Sequence, residues 1–135
     1  MKRDPRFKRE QEKFRNSARV YQKEKEWMQE QEKLYPNIKN IQFEDDVFKV
    51  DLSEDTGKGE VELYQLYRKD VQYVDDILTK IDRMCGHNAR ILIWALYVDN
   101  RIQVDVAEEF GLTRRQLQYS VDKWLHEVLL DDDQK

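Results

Sequence analysis

The stretch VDVAEEFGLTRRQLQYSV, Val104 to Val121, decides how this chain folds. Gln103 to Phe110 is predicted as a short helix, with Val104, Val106, Ala107 and Phe110 available for packing. Gly111 permits the positive φ that ends a helix sharply, and Leu112 can plug the core beneath the turn. Thr113 then caps the next helix, its hydroxyl accepting from a free backbone N–H near Gln116. In that helix Leu117, Val121, Trp124, Leu125 and Val128 fall on one side. Arg114, Arg115, Gln118, Tyr119 and Asp122 lie nearer the other. Ala107 lets two helices cross closely, the glycine four positions later sets their angle, and Leu117 anchors the second. That spacing is the sequence form of a helix-turn-helix.

In such a unit the start of the second helix enters the major groove of DNA. The candidate contacts are therefore Thr113, Arg114, Arg115, Gln116, Gln118, Tyr119 and Lys123. Arginine can bond guanine bidentately and glutamine can bond adenine, while Thr113 and the free N–H groups beside it suit a phosphate. Two arginines in a first helical turn oppose the macrodipole, which a nearby anion would explain. The plainer alternative is a helical hairpin whose arginines are only solvated. Glu108 and Glu109 repel phosphate, although the first helix crosses the backbone rather than entering the groove.

Upstream, ARILIWALYVDN (Ala89–Asn100) is apolar on nearly every face, which places it in the middle of a helical core, closed by Asp99-Asn100. CGHN (Cys85–Asn88) separates it from a helix predicted from about Glu60 to Met84. The apolar stripe of that helix is Leu63, Leu66, Tyr67, Val71, Val74, Ile77, Leu78 and Ile81. Residues 6 to 34 lack helix breakers and read as a further helix, ended at Tyr35-Pro36 because proline disfavours helical backbone before it. Phe7, Phe14, Tyr21 and Met28 recur there at intervals of seven. Either they form a self-association seam or they lay a solvated helix against the domain; the companion positions Gln11, Ala18, Lys25 and Glu32 are mostly polar. Between the helices, IQFEDDVFKVDLSEDTGKGE (Ile41–Glu60) reads as an acidic connector, and its alternating piece Phe48–Leu52 lacks a partner strand.

With 39% charged and 39% apolar residues among 135, the chain fits one domain with extensions. The expected fold is all-α: a long charged N-terminal helix over 1–35, an acidic connector over 36–59, and a small helical domain over 60–130. The helix-turn-helix occupies 103–128. A net charge of −4 conceals an asymmetry, with eight basic against three acidic residues from Met1 to Arg19 and two against seven from Glu44 to Glu60. Binding to a polyanion depends on the local field rather than on net charge. Residues Lys2 to Arg19 can add a phosphate contact without sequence information, or form a disordered arm.

Cys85 has no partner for an intramolecular disulfide, and no second cysteine stands near His87 or His126, so neither a disulfide scaffold nor a zinc site is supported. No cofactor is implied. No apolar run approaches the roughly 18 residues of a transmembrane helix, and the charged N-terminus does not resemble a signal peptide. A soluble, cytoplasmic protein is expected, with no membrane partner.

The segments VELYQLYRKDVQYVDDILTKID, ARILIWALYVD and VDVAEEFGLTRRQLQYSVDKWL together resemble the C-terminal region of phage late-gene transcriptional regulators of the RinA and ArpU type. They are similar, more loosely, to region 4 of sigma factors. LYPNIKN in a charged N-terminal half, followed by an acidic loop, fits the same layout. The resemblance covers about half the chain and rests on pattern rather than an invariant motif. It implies an activator of late phage genes acting in a bacterial host cell, with double-stranded DNA and host RNA polymerase as partners and a homodimer as a candidate assembly. Carried over by position, the turn falls at Gly111 and Leu112 and the reading helix begins at Thr113. The acidic end LLDDDQK departs from a DNA-contacting role; it either aids solubility or meets a basic surface on polymerase.

Three other functions compete. A thiol enzyme would use Cys85 and His87, but residues so close in sequence rarely form such a pair, and neither a phosphate loop nor paired carboxylates accompany them. No enzymatic activity is expected. A small terminase subunit also combines a helix-turn-helix with charged helices, and would assemble as a ring. A helical protein-binding module would use the acidic segments as a mimic of DNA, and would lack the steep salt dependence of a phosphate-neutralising DNA reader.

Overall fold

A computed structural model describes residues 4–40 and 58–131. The greater part of the acidic connector, with Phe48–Leu52, lies outside the described residues, as do Lys2, Arg3 and the last four residues of the tail. The described residues are all-helical, with no strand among them. Helix α1 spans Pro5–Leu34, α2 Lys58–Cys85, α3 His87–Ile93, α4 Gln103–Glu109 and α5 Arg114–Leu129. A single 3₁₀ turn, Ile38–Asn40, follows α1, and a π turn, Trp94–Val98, continues α3.

Local chemistry sets the boundaries. Pro5 suits a first helical position because its missing N–H would be unsatisfied there in any case. The Asp4 carboxylate accepts from the Arg6 N–H at 2.9 Å, and its carbonyl accepts from Lys8 at 3.1 Å. Before Pro36 the last turn closes with a bond from the Tyr35 N–H to the Gln31 carbonyl at 2.7 Å. Gly86 separates α2 from α3 at φ 106, backbone that a side chain would strain.

The described residues divide into two compact units, and each takes part of α1 and part of α2. This cut differs from the expected division at 35 and 60, because the two long helices run through both units. One unit comprises the described part of Met1–Val20 with Tyr73–Lys135. Its core is built from Phe7, Phe14 and Ala18 of α1, Val74, Leu78 and Ile81 of α2, and the apolar positions of α3 to α5. Phe7 lies against His126 with ring centroids 5.2 Å apart, and Phe14 against Tyr97 at 5.3 Å. The aromatic positions of α1 in this unit are thus covered by the chain's own side chains, as the second reading of the seven-residue spacing expects. Lys80 and Asp131 pair at 3.0 Å with both side chains largely shielded from water, tying α2 to the segment after α5.

The other unit, Tyr21–Gln72, buries Tyr21, Met28, Ile38, Val61, Tyr64 and Val71. Here the predicted stripe of α2 is corrected. Tyr64 is buried while Leu66 is 62% exposed, because the apolar face in this half runs through Val61 and Tyr64. The Tyr64 hydroxyl makes burial tolerable by donating to Glu32 Oε2 at 2.6 Å. Burial, followed by the hydrogen bond to Glu32, pushes its phenol above the ordinary range. Trp27 meets the edge of Tyr67 at 5.3 Å. Half-buried Glu24 has its carboxyl pushed up to about 8, first by desolvation and then by the hydrogen bond and charge of Asp70.

Candidate nucleic-acid interface

Helix α4 ends at Phe110, whose N–H bonds the Val106 carbonyl at 3.1 Å. Gly111 then takes φ 71, which turns the chain so that the Leu112 N–H reaches back to the Ala107 carbonyl at 2.8 Å. These bonds close the helix end in the manner of a C-terminal glycine cap. Thr113 starts α5 with a reciprocal capping box. Its Oγ1 accepts from the Gln116 N–H at 3.1 Å, and the Gln116 side-chain oxygen accepts from the Thr113 N–H at 2.9 Å. Beneath the turn Val106, Ala107, Leu117, Val121, Leu125 and Val128 are buried, so α4 packs on α5 through the small residue and the anchor that the spacing identifies. Val104 and Phe110, read as packing residues, are instead exposed, at 53% and 38%. In a helix this short, one stripe suffices for contact, and Val106 with Ala107 occupy it.

On the outer side of α5, Arg114, Arg115, Gln118 and Tyr119 are all exposed, Tyr119 at 71%. The first turn of α5 holds no acidic side chain, so its positive macrodipole end and two guanidinium groups face solvent together. Arg115 has no ion pair or hydrogen bond among the described residues. Arg114 and Gln118 are held from behind: the Gln103 side-chain oxygen accepts from Arg114 Nε at 3.2 Å and from Gln118 Nε2 at 2.7 Å. Gln103 therefore orients two candidate readers at once. Its role escapes sequence reading because nothing in the spacing of 103, 114 and 118 marks a three-residue junction across a turn.

Two further predicted contacts, Gln116 and Lys123, lie at the edge of this face. Gln116 commits its carbonyl oxygen to the cap, leaving only its amide N–H groups for a ligand. Lys123 is exposed one turn beyond Tyr119 and about 40° around the helix from it, so it borders the same face. From there its charge acts on Cys85, lowering a thiol that burial and then Glu127 push above the ordinary range. Cys85 donates to Glu127 at 3.9 Å, whereas His87 Nδ1 lies 3.2 Å from Asp82 Oδ2. The thiol and imidazole of CGHN thus face different partners. Hydrogen bonds from His87 and then Arg90 hold the Asp82 carboxyl below the usual range, against partial desolvation.

Behind the face, α1 contributes a polar knot. Gln11 Nε2 donates to the Tyr97 hydroxyl at 3.1 Å and reaches Asp122 Oδ1 at 3.4 Å. Burial pushes the Tyr97 phenol up, which keeps it protonated. Among the described residues no group of three or more His, Cys, Asp or Glu side chains is placed to hold a metal ion, and no helix is long and apolar enough to cross a membrane. No protein-family model, curated protein or solved structure matches the chain. Its residues and their geometry therefore carry the functional reading.

Proposed function

We propose that this chain is a sequence-specific double-stranded DNA-binding transcriptional regulator that reads the major groove with the first two turns of α5. The observation that carries the reading is the joint exposure of Arg114, Arg115, Gln118 and Tyr119 at a helix start with no acidic residue in its first turn. Arg115 is the residue best suited to a bidentate guanine contact, because its fork is unengaged; Arg114 and Gln118 meet bases or phosphates from positions fixed by Gln103. The resemblance to phage late-gene regulators supports an activating role in a bacterial host, with RNA polymerase as a second partner.

Selection of bound duplexes from a random pool tests this directly. An enriched motif is expected, and a two-fold symmetric motif would identify a homodimer. Replacing Arg115 by Ala is expected to relax preference at one base position and to cost about 1–3 kcal/mol on the selected duplex. A pool that yields no enrichment, or a double Arg114→Ala, Arg115→Ala variant that binds like the parent, overturns the assignment of α5. Assembly as a ring of many copies would favour a packaging subunit instead.

A further inference from the structure

Beside the proposed reading helix lies a cavity of about 370 Å³ whose lining includes Arg15, Arg19, Arg101, Gln103, Gln118 and Asp122. All of these belong to one compact unit. Three guanidinium groups from segments far apart in sequence converge there against one lining carboxylate. Arg15 and Arg19 are one turn apart on the same face of α1, four positions on from Gln11, whose bonds to Tyr97 and Asp122 pin that face against α5. Arg15 lies over the Tyr97 ring at 5.6 Å and also pairs with Glu12. Arg101 pairs with Glu109, which neutralises one side of its fork. Arg19 is exposed and has no ion pair or hydrogen bond among the described residues.

We infer that this cavity is a clamp for a DNA backbone phosphate, in which Arg15, Arg19 and Arg101 hold the strand that runs past the start of α5. The inference rests on the DNA-reading proposal and adds α1 to it. A phosphodiester supplies one negative charge and two acceptor oxygens, which match a guanidinium fork. The cavity shares Gln103 and Gln118 with the candidate reading face, so a backbone seated in it adjoins the groove that α5 would enter. Phosphate contacts fix register without selecting sequence. The clamp therefore contributes affinity and orientation, and base preference stays with Arg115 and its neighbours.

The test is a salt series on the full-length chain with the selected duplex and a scrambled one. Arg19→Ala is the first variant, since its side chain has no partner to lose; Arg15→Ala and Arg101→Ala follow, with thermal unfolding as the check on folding. Arg19→Ala is expected to weaken both duplexes equally, by about three- to tenfold at low salt, and to lower the slope of log affinity against log salt by roughly 0.9. Arg115→Ala should instead narrow the ratio between the two duplexes. If Arg19→Ala and Arg15→Ala leave slope and affinity unchanged while the parent still prefers its selected duplex, the clamp is wrong and the reading helix stands. If the parent binds no duplex, both fall. A titration with inorganic phosphate, followed by the arginine side-chain NMR signals, separates the sources of the anion. Saturation by free phosphate at micromolar concentration would mark a small-anion site and overturn the backbone assignment.

Discussion

Thr113 and Gln116 satisfy each other's backbone at the start of α5, whereas Glu24, in the Tyr21–Gln72 unit, keeps its Oε1 buried without a hydrogen-bond partner among the described residues and interacts with a second carboxyl, Asp70. The two regions handle polar groups differently. At the α4–α5 turn, polarity near the backbone closes helix ends, and the charged tips stand outside, where a ligand can reach them. In the other unit a carboxyl is drawn in beside a like group, and is held comfortably only while it carries a proton. Exposed charge at a capped helix start need not cost stability, but a half-buried acid makes stability depend on pH.

The largest expected effect tests the first half of that contrast. Leu117 is fully buried at the centre of the α4–α5 contact. Leu117→Ala should lower unfolding stability by about 2–5 kcal/mol, measured by denaturant titration, with the loss of any duplex binding following from the loss of the hairpin. A smaller loss would mean that the turn is held by its hydrogen bonds more than by its core.

Next comes the cap. Thr113→Ala removes the acceptor for the Gln116 N–H and should cost about 1 kcal/mol. Thr113→Ser should retain most of it. If both variants lose binding equally while stability differs, the Thr113 methyl group touches the ligand.

The smallest effect belongs to Glu24, and pH reveals it. Its folded carboxyl titrates at about 8 against an ordinary 4.5, so between those values the folded chain holds a proton that the unfolded chain has released. Stability should therefore be greatest below about pH 4.5 with respect to this group, fall as pH rises through 8, and level off above. Solvent screening of a half-buried group keeps the amplitude modest. Thermal midpoints of Glu24→Gln should lose this component of the pH slope; an unchanged slope would place the titration elsewhere.

The hairpin was legible because its determinants are local. Ala107, Gly111, Thr113 and Leu117 act through backbone conformation, a cap and one packing contact, all within eleven residues. The first half of α2 was less legible, since tyrosine suits either side of a helix until a partner such as Glu32 is known; the stripe consequently passed through Leu66 rather than Tyr64. The junction made by Gln103 and the gathering of Arg15 and Arg19 in one cavity were illegible, although the basic run Lys2 to Arg19 reads as able to touch phosphate. Each acquires its neighbours through tertiary packing, and in sequence Arg15 and Arg19 are two basic residues among eight. The buried Gln11 reads as an ordinary polar position of a charged helix until Tyr97 and Asp122 appear beside it.

The π turn at Trp94–Val98 has a consequence for sequence change. There the Asp99 N–H bonds the Trp94 carbonyl at 2.9 Å, five residues back, so this turn accommodates one residue more than an α-helical turn. Each residue in an α-helix advances the chain by about 100°. Excising one residue between 94 and 98 would let the segment relax to regular α-helix while leaving everything after it close to its present phase, because the π turn already stores the extra residue. A single-codon deletion here should therefore be better tolerated than one within α1, which stores no extra residue and would have its buried stripe of Phe7, Phe14 and Ala18 turned by about 100° on one side of the cut.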